Sequence, residues 1–150
     1  MIFSTAMVLA KSTPIVGGTV ISAKFHNYEI LQNFEGIQFA GCIFPRNIQI
    51  TGCTFKNCTF YKCTFACDFV DCKIIDSRFT ECGFWHMDMI DVSLESSDIV
   101  DSDFEHCSLK AMFGGMIIGG SLSFCRKGNG TTPLVSCKLN YVSLNEPDNI

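Results

Sequence analysis

The sequence predicts an all-β solenoid, and three observations carry the prediction. Apolar residues recur every five positions over a long stretch. A second series of small or apolar residues runs two positions ahead of the first. The aromatic content is spent on one residue type, 14 Phe against 3 Tyr and 1 Trp, as though a single structural position were used many times.

The first series is Phe34, Phe39, Phe44, Ile50, Phe55, Phe60, Phe65, Phe69, Ile74, Phe79, Phe84, Met89, Leu94, Ile99, Phe104 and Leu109. All but two of its steps are five residues; Phe44 to Ile50 is six and Phe65 to Phe69 is four. The six-residue step contains Pro45, Arg46 and Asn47, which predicts a bulged corner, and the four-residue step predicts a tightened one. The second series includes Cys42, Cys53, Cys58, Cys63, Cys67, Cys72, Ser77, Cys82, Ser97, Ser102 and Cys107, and only Gln32 departs from it. Helices need a 3.6-residue spacing and strands alternate at two over short runs, so neither alone gives this period. A short extended piece with two inward side chains, followed by a corner, does.

Pieces such as CTFKN, CTFYK, CDFVD, SRFTE, CGFWH, SDIVD, SDFEH and CSLKA resemble the pentapeptide-repeat family over about residues 32–112. The resemblance implies a right-handed quadrilateral β-helix with four pentapeptides per coil. It also implies a non-catalytic protein that binds other proteins. Some family members stand in for DNA on gyrase or other DNA-handling proteins, in bacteria and their phages.

The 150 residues are expected to form a single domain. An irregular cap is expected over about residues 1–22, with Ala23/Phe25 and Tyr28/Ile30 as irregular repeats. Beyond Leu109 the frame continues through Gly114, Gly119 and Phe124, with Leu122 and Phe124 restoring the inward pair. Residues 125–133, CRKGNGTTP, are expected to be a loop from their Gly, Asn and Pro content, and Cys137/Leu139 and Val142/Leu144 give two more repeats.

Ten cysteines in a short chain raise the question of disulfides or metal. Nine of them fall in the repeated small position, where cysteine acts as a small hydrophobe. Their C-x4-C spacing lacks the C-x2-C pairs of zinc sites, so no metal or cofactor is expected. Cys125 alone stands outside that series and is expected to be the most reactive thiol. The N-terminus makes a poor signal peptide, and no run of about 18 apolar residues is present, so the expectation is a cytoplasmic protein without a membrane span. No nucleophile motif, phosphate loop or HExxH is found, and no enzyme is expected.

The net charge of −4 is unevenly placed: +3 over residues 1–66, −9 over 67–106 and +2 over 107–150. In the implied geometry the middle stretch is two coils, about 10 Å of axis at about 4.8 Å per coil. That charge density equals or exceeds the one charge per about 1.7 Å of duplex DNA. The candidate binding face is therefore Asp68, Asp71, Asp76, Glu81, Asp88, Asp91, Glu95, Asp98, Asp101, Asp103 and Glu105, offered to a protein partner such as a DNA-binding enzyme. Direct nucleic-acid binding is not expected, and an end-to-end homodimer would lengthen the surface. The alternative contact set is Trp85, Tyr61, Arg126 and Lys127, through shape and exposed aromatics rather than charge. With four repeats per coil, His86 and His106 should stack about 4.8 Å apart.

Overall fold

The computed structural model describes residues 15–25, 29–30, 33–127, 138–140 and 143–144. The regular elements among them are β-strands, and the chain winds about five turns of a parallel solenoid. One coil consists of Thr54–Lys56, Thr59–Tyr61, Thr64–Phe65 and Asp68–Val70. The next begins at Lys73, with Ile74 opposite Phe55. Four parallel ladders result, and each face is named here by its central residue in the first of these coils.

The Phe55 face stacks Phe34, Phe55, Ile74 and Leu94, and Phe113 continues it by register. The Phe60 face stacks Val20, Phe39, Phe60, Phe79, Ile99 and Ile117. The Phe65 face stacks Phe44, Phe65, Phe84, Phe104 and Leu122, and the Phe69 face Ile50, Phe69, Met89 and Leu109. The recurrent phenylalanine has a geometric reason. The coil repeat matches the stacking distance of aromatic rings. Phe39, Phe60 and Phe79 stack at 4.8 and 4.4 Å, and Phe44, Phe65, Phe84 and Phe104 at 4.7, 5.0 and 4.3 Å. Neighbouring faces of one coil meet edge to face, as Phe55 does with Phe60 at 67°.

The small position two residues earlier does more than fill space. Ser77 Oγ lies 2.8 Å from the Ile75 carbonyl and 3.3 Å from the Phe55 carbonyl, and accepts the Cys58 N–H at 3.0 Å. Cysteine repeats the pattern with sulfur: Cys63 Sγ lies 3.6 Å from Tyr61 O and 3.4 Å from Phe39 O, and Cys82 Sγ 3.5 Å from Thr80 O and 3.3 Å from Phe60 O. Each of these side chains therefore ties a carbonyl of its own corner to one in the preceding coil.

The residue two after the centre turns the corner in the left-handed region. Asn57, Lys62, Asp71, Asp76, Glu81, His86, Asp91, Ser96, Asp101, His106 and Phe124 all have φ between 48° and 54°. Where the chain takes a four-residue step, this residue is missing. Ala66 runs directly into Cys67, and its N–H bonds the Phe44 carbonyl at 2.8 Å. The six-residue step is closed by the Ile48 N–H on the Pro45 carbonyl at 3.2 Å.

Three boundaries differ from expectation. Ile15–Ile21, inside the expected cap, is a strand paired along Phe34–Ala40; residues 1–14 lie outside the described residues. Arg126–Lys127, inside the expected loop, pair with Ser108–Leu109, and the rest of that loop lies outside the described residues. Beyond Leu109 the centres are Phe113, Ile117 and Leu122, not Gly114, Gly119 and Phe124. The glycines serve close backbone approach: a Cβ at Gly115 would overlap the Ser97 carbonyl, and one at Gly120 the Ser102 carbonyl. Phe124, displaced from the core, turns outward. Lys24 bridges to Ile43, and Ile30, Leu139 and Leu144 take the register expected for centres. Tyr28, Cys137 and Val142 lie outside the described residues. No helix long and apolar enough to cross a membrane occurs among the described residues.

Candidate functional site

The repeat sends the eleven carboxylates of residues 68–105 outward in three kinds of position. Asp68, Asp88, Asp98 and Asp103 precede a centre; Glu95 and Glu105 follow one; Asp71, Asp76, Glu81, Asp91 and Asp101 are the left-handed corner residues. Asp and Asn tolerate that conformation better than most residues, so the fold itself calls for several of these acids. The registers spread the set around the solenoid. Glu95 is on the Phe55 face, Asp98 on the Phe60 face, Asp103 and Glu105 on the Phe65 face, and Asp68 and Asp88 on the Phe69 face. The expected single acidic face is thus an acidic belt, because consecutive repeats occupy consecutive faces.

Much of this charge is engaged. Glu81 pairs with Lys62 at 3.8 Å, Asp98 with Arg78 at 3.8 Å, and Asp91 with Lys110 at 2.9 Å. The Asp91 pair raises the pKa of Lys110. Asp68 accepts the Asp88 N–H at 2.8 Å, Asp98 the Met116 N–H at 3.0 Å, and Asp103 the Ser121 hydroxyl at 2.8 Å.

Acids occupy three of the four corner columns. The fourth, between the Phe65 and Phe69 faces, carries rings. His86 and His106 stack at 4.7 Å and 9°, as their twenty-residue spacing predicts, and Phe124 continues the stack on His106 at 4.8 Å and 6°. Glu105 approaches His106 Nε2 at 3.9 Å. Phe124 is 53% exposed with φ 54°. A bulky side chain in the left-handed region is a conformational outlier. Trp85, also exposed, flanks the ridge on the Phe65 face; its indole folds back over Gly83, where a Cβ would strike Nε1. On the other flank an open cavity of about 350 Å³ is lined by Asp88, His106, Cys107, Ser108, Phe124 and Arg126.

The alternative contact residues therefore divide. Trp85 and Arg126 belong to the ridge and its cavity, whereas Tyr61 is exposed on the Phe60 face with Lys62 Nζ 5.2 Å from its ring centroid. Lys127 takes the register of Leu109. Phe124 was hidden from sequence reasoning by its agreement with the five-residue frame, which assigned it to the core.

The cysteines form no such surface. Cys125, expected to stand apart, is fully buried in the same small position as the others, 3.4 Å from Phe104 O and 3.3 Å from Ser123 O. The Cys107 S–H bonds to it and lowers its pKa to about 7, and the same bond raises Cys107. Burial pushes Cys58 up to about 11 and Cys67 to about 12. No group of three or more metal-ligating side chains is found among the described residues.

No protein-family model matches the chain, and no curated protein matches it in sequence. Solved structures of QnrB1, a plasmid-mediated fluoroquinolone resistance protein, are similar to it over most of both chains. A trypsin-treated variant aligns at 16% identity over 91% of this chain and 85% of that chain, with a TM-score of 0.47. The full-length form aligns at 13% identity over 89% and 94%, with a TM-score of 0.31.

Proposed function

We propose that this solenoid is a non-catalytic protein-binding module whose contact is the corner ridge of Trp85, His86, His106 and Phe124. The observation that supports the reading most is Phe124. It leaves an aromatic ring half in water and holds a bulky residue in a conformation that costs about 1–2 kcal/mol. Many other corners meet the same backbone demand with Gly, Asn or Asp, among them Gly41, Gly52, Asn57, Asp71, Asp76, Asp91 and Asp101, and none of the rest in the described residues uses a fully apolar side chain. Backbone strain that persists against an easier alternative points to function, and exposed aromatic anchors are what protein interfaces use. In affinity capture with mass spectrometry, the wild-type chain retains a partner that Phe124→Asn and Trp85→Ser both lose. Phe124→Asn keeps its melting temperature or gains a few degrees, because the corner strain is relieved. Capture unchanged in both variants sinks the reading.

A second reading rests on the net −9 over residues 67–106: the acidic belt takes the place of nucleic acid on a DNA-handling enzyme such as a topoisomerase or a restriction nuclease. It requires that duplex DNA compete the partner off and that binding weaken steeply with salt. Replacing Asp71, Asp91 and Asp101 by Lys should abolish it without unfolding, since Lys62 already occupies an equivalent corner. Binding that survives those changes excludes it.

A further inference from the structure

The Phe60 face differs from the other three. Its outward residues, coil by coil, are Thr19 and Ile21, Gln38 and Ala40, Thr59 and Tyr61, Arg78 and Thr80, Asp98 and Val100, and Met116 and Ile118. Only two of these side chains are charged, and they are of opposite sign, in adjacent coils, 3.8 Å apart. Ile21, Tyr61, Met116 and Ile118 are exposed, and Ala40 and Val100 partly so. The other three faces carry unlike patterns of charge: Glu35, Lys56, Lys73 and Glu95 on the Phe55 face, the like-charged Asp103 and Glu105 of one coil on the Phe65 face, and Asp68, Asp88, Lys110 and Arg126 on the Phe69 face.

We infer that the Phe60 face is the contact surface of a reversible homodimer in which two solenoids lie face to face and antiparallel. The charge pattern selects this occupant. A two-fold axis lying in the contact plane, along the strands and between the Arg78 and Asp98 coils, sets each coil of one chain against a coil of the other. Arg78 then faces Asp98 of the second copy and Asp98 faces its Arg78. The four charges form an alternating square in which every charge borders two of the opposite sign. The same operation sets Thr80 against Val100, Thr59 against Met116, and Tyr61 against Ile118. Apolar groups meet apolar or hydroxyl-bearing ones, and no like charges meet. Turning the second copy about an axis along the solenoid would instead put Arg78 against Thr80 and Asp98 against Val100, leaving both charges without a partner across the interface. The antiparallel arrangement is therefore the self-complementary one.

The strip in contact is four strands tall, about 20 Å by about 10 Å. That is well under the roughly 800 Å² per partner of a stable complex, so the association is weak and concentration-dependent. This inference is independent of the corner ridge, which lies on the opposite side of the coil from the corner preceding this face.

Sedimentation velocity of the full chain from about 10 µM to about 1 mM tests it. The wild type shifts from monomer toward dimer across that range. Tyr61→Glu and Ile118→Asp each weaken association at least about tenfold while the circular dichroism spectrum and melting temperature stay unchanged. Arg78→Asp alone sets like charges across the axis and holds the chain monomeric, as does Asp98→Arg alone. The double swap Arg78→Asp/Asp98→Arg restores the alternating square and with it the dimer. A wild type that stays monomeric throughout overturns the inference, and so does a dimer indifferent to Tyr61→Glu or a double swap that fails to recover while folded. Assembly beyond the dimer also overturns it, because the square closes at two copies.

Discussion

At the scale of single residues, the small inward position shows how a hydrogen-bond requirement hides inside a size requirement. Volume alone would admit Ala or Val there. Cys and Ser predominate, and Cys58, Cys63, Cys72, Ser77, Cys82 and Ser97 each place a γ atom between a buried carbonyl of the coil before and a part-buried one of their own corner. Ser77, Ser97 and Ser102 also accept an N–H from the coil before. Buried carbonyls left without donors cost about 1–3 kcal/mol each. Ser77→Ala should therefore destabilise the fold by about 1–3 kcal/mol in urea unfolding, while Ser77→Cys, which keeps a weaker donor, should lose less than half as much. Equal stability of wild type and Ser77→Ala would show that the ladder contributes nothing.

At the scale of the repeat, the corner sets the rules. Its left-handed residue recurs in almost every regular unit, and its removal is how the chain shortens a step, as at Ala66 and again where Lys110 runs into Ala111. The second shortening leaves Asp91 without a counterpart in the next coil, and Lys110 fills in by pairing with it. The corner tolerates length changes because its residue is outside the ladders. Side-chain identity matters more. Ser96, at φ 49°, donates its backbone N–H to Gly114 O at 3.1 Å, a bond that any residue but proline retains. Ser96→Gly should raise stability by roughly 0.5–1 kcal/mol, about 2–3 °C in melting temperature. Ser96→Val should lower it by about 1–2 kcal/mol, since a β-branched residue resists this conformation. Scanning calorimetry of the two variants checks the opposite signs.

At the scale of the whole molecule, one core runs the length of the axis, built from stacked rings and thiols. Cys58 and Cys67 have pKa values raised by burial, so the folded state favours their neutral form. Their contribution is fully present below the unfolded thiol value near 9 and is lost as pH rises toward 11 for Cys58 and 12 for Cys67. Between those limits each thiol removes about 1.4 kcal/mol per pH unit. The urea midpoint should hold between pH 8 and 9 and then fall steeply, and Cys58→Ser should flatten part of that fall. A midpoint level to pH 11 would mean that these thiols meet water in the folded state. The wound topology also decides what a surface is: residues close in sequence point to different faces, and residues about twenty apart become neighbours, as His86 and His106 do.

The five-residue period by itself determined the solenoid, its inward series and the burial of Phe55, Cys63 or Ile74, because a strict period leaves each side chain one direction to point. It also placed His86 over His106. It failed where the chain leaves the period. Phe124 matched the frame by count, yet two short steps after Leu109 had shifted the frame beneath it and carried Leu122 into the core. Cys125 was carried inward with the same shift. The acidic stretch was legible as a sequence block, but only the winding of the chain decided that its carboxylates encircle the molecule. Binding surfaces here are columns across coils, and a column is fixed by how many residues each corner spends, which is a property of backbone geometry that residue type alone does not reveal.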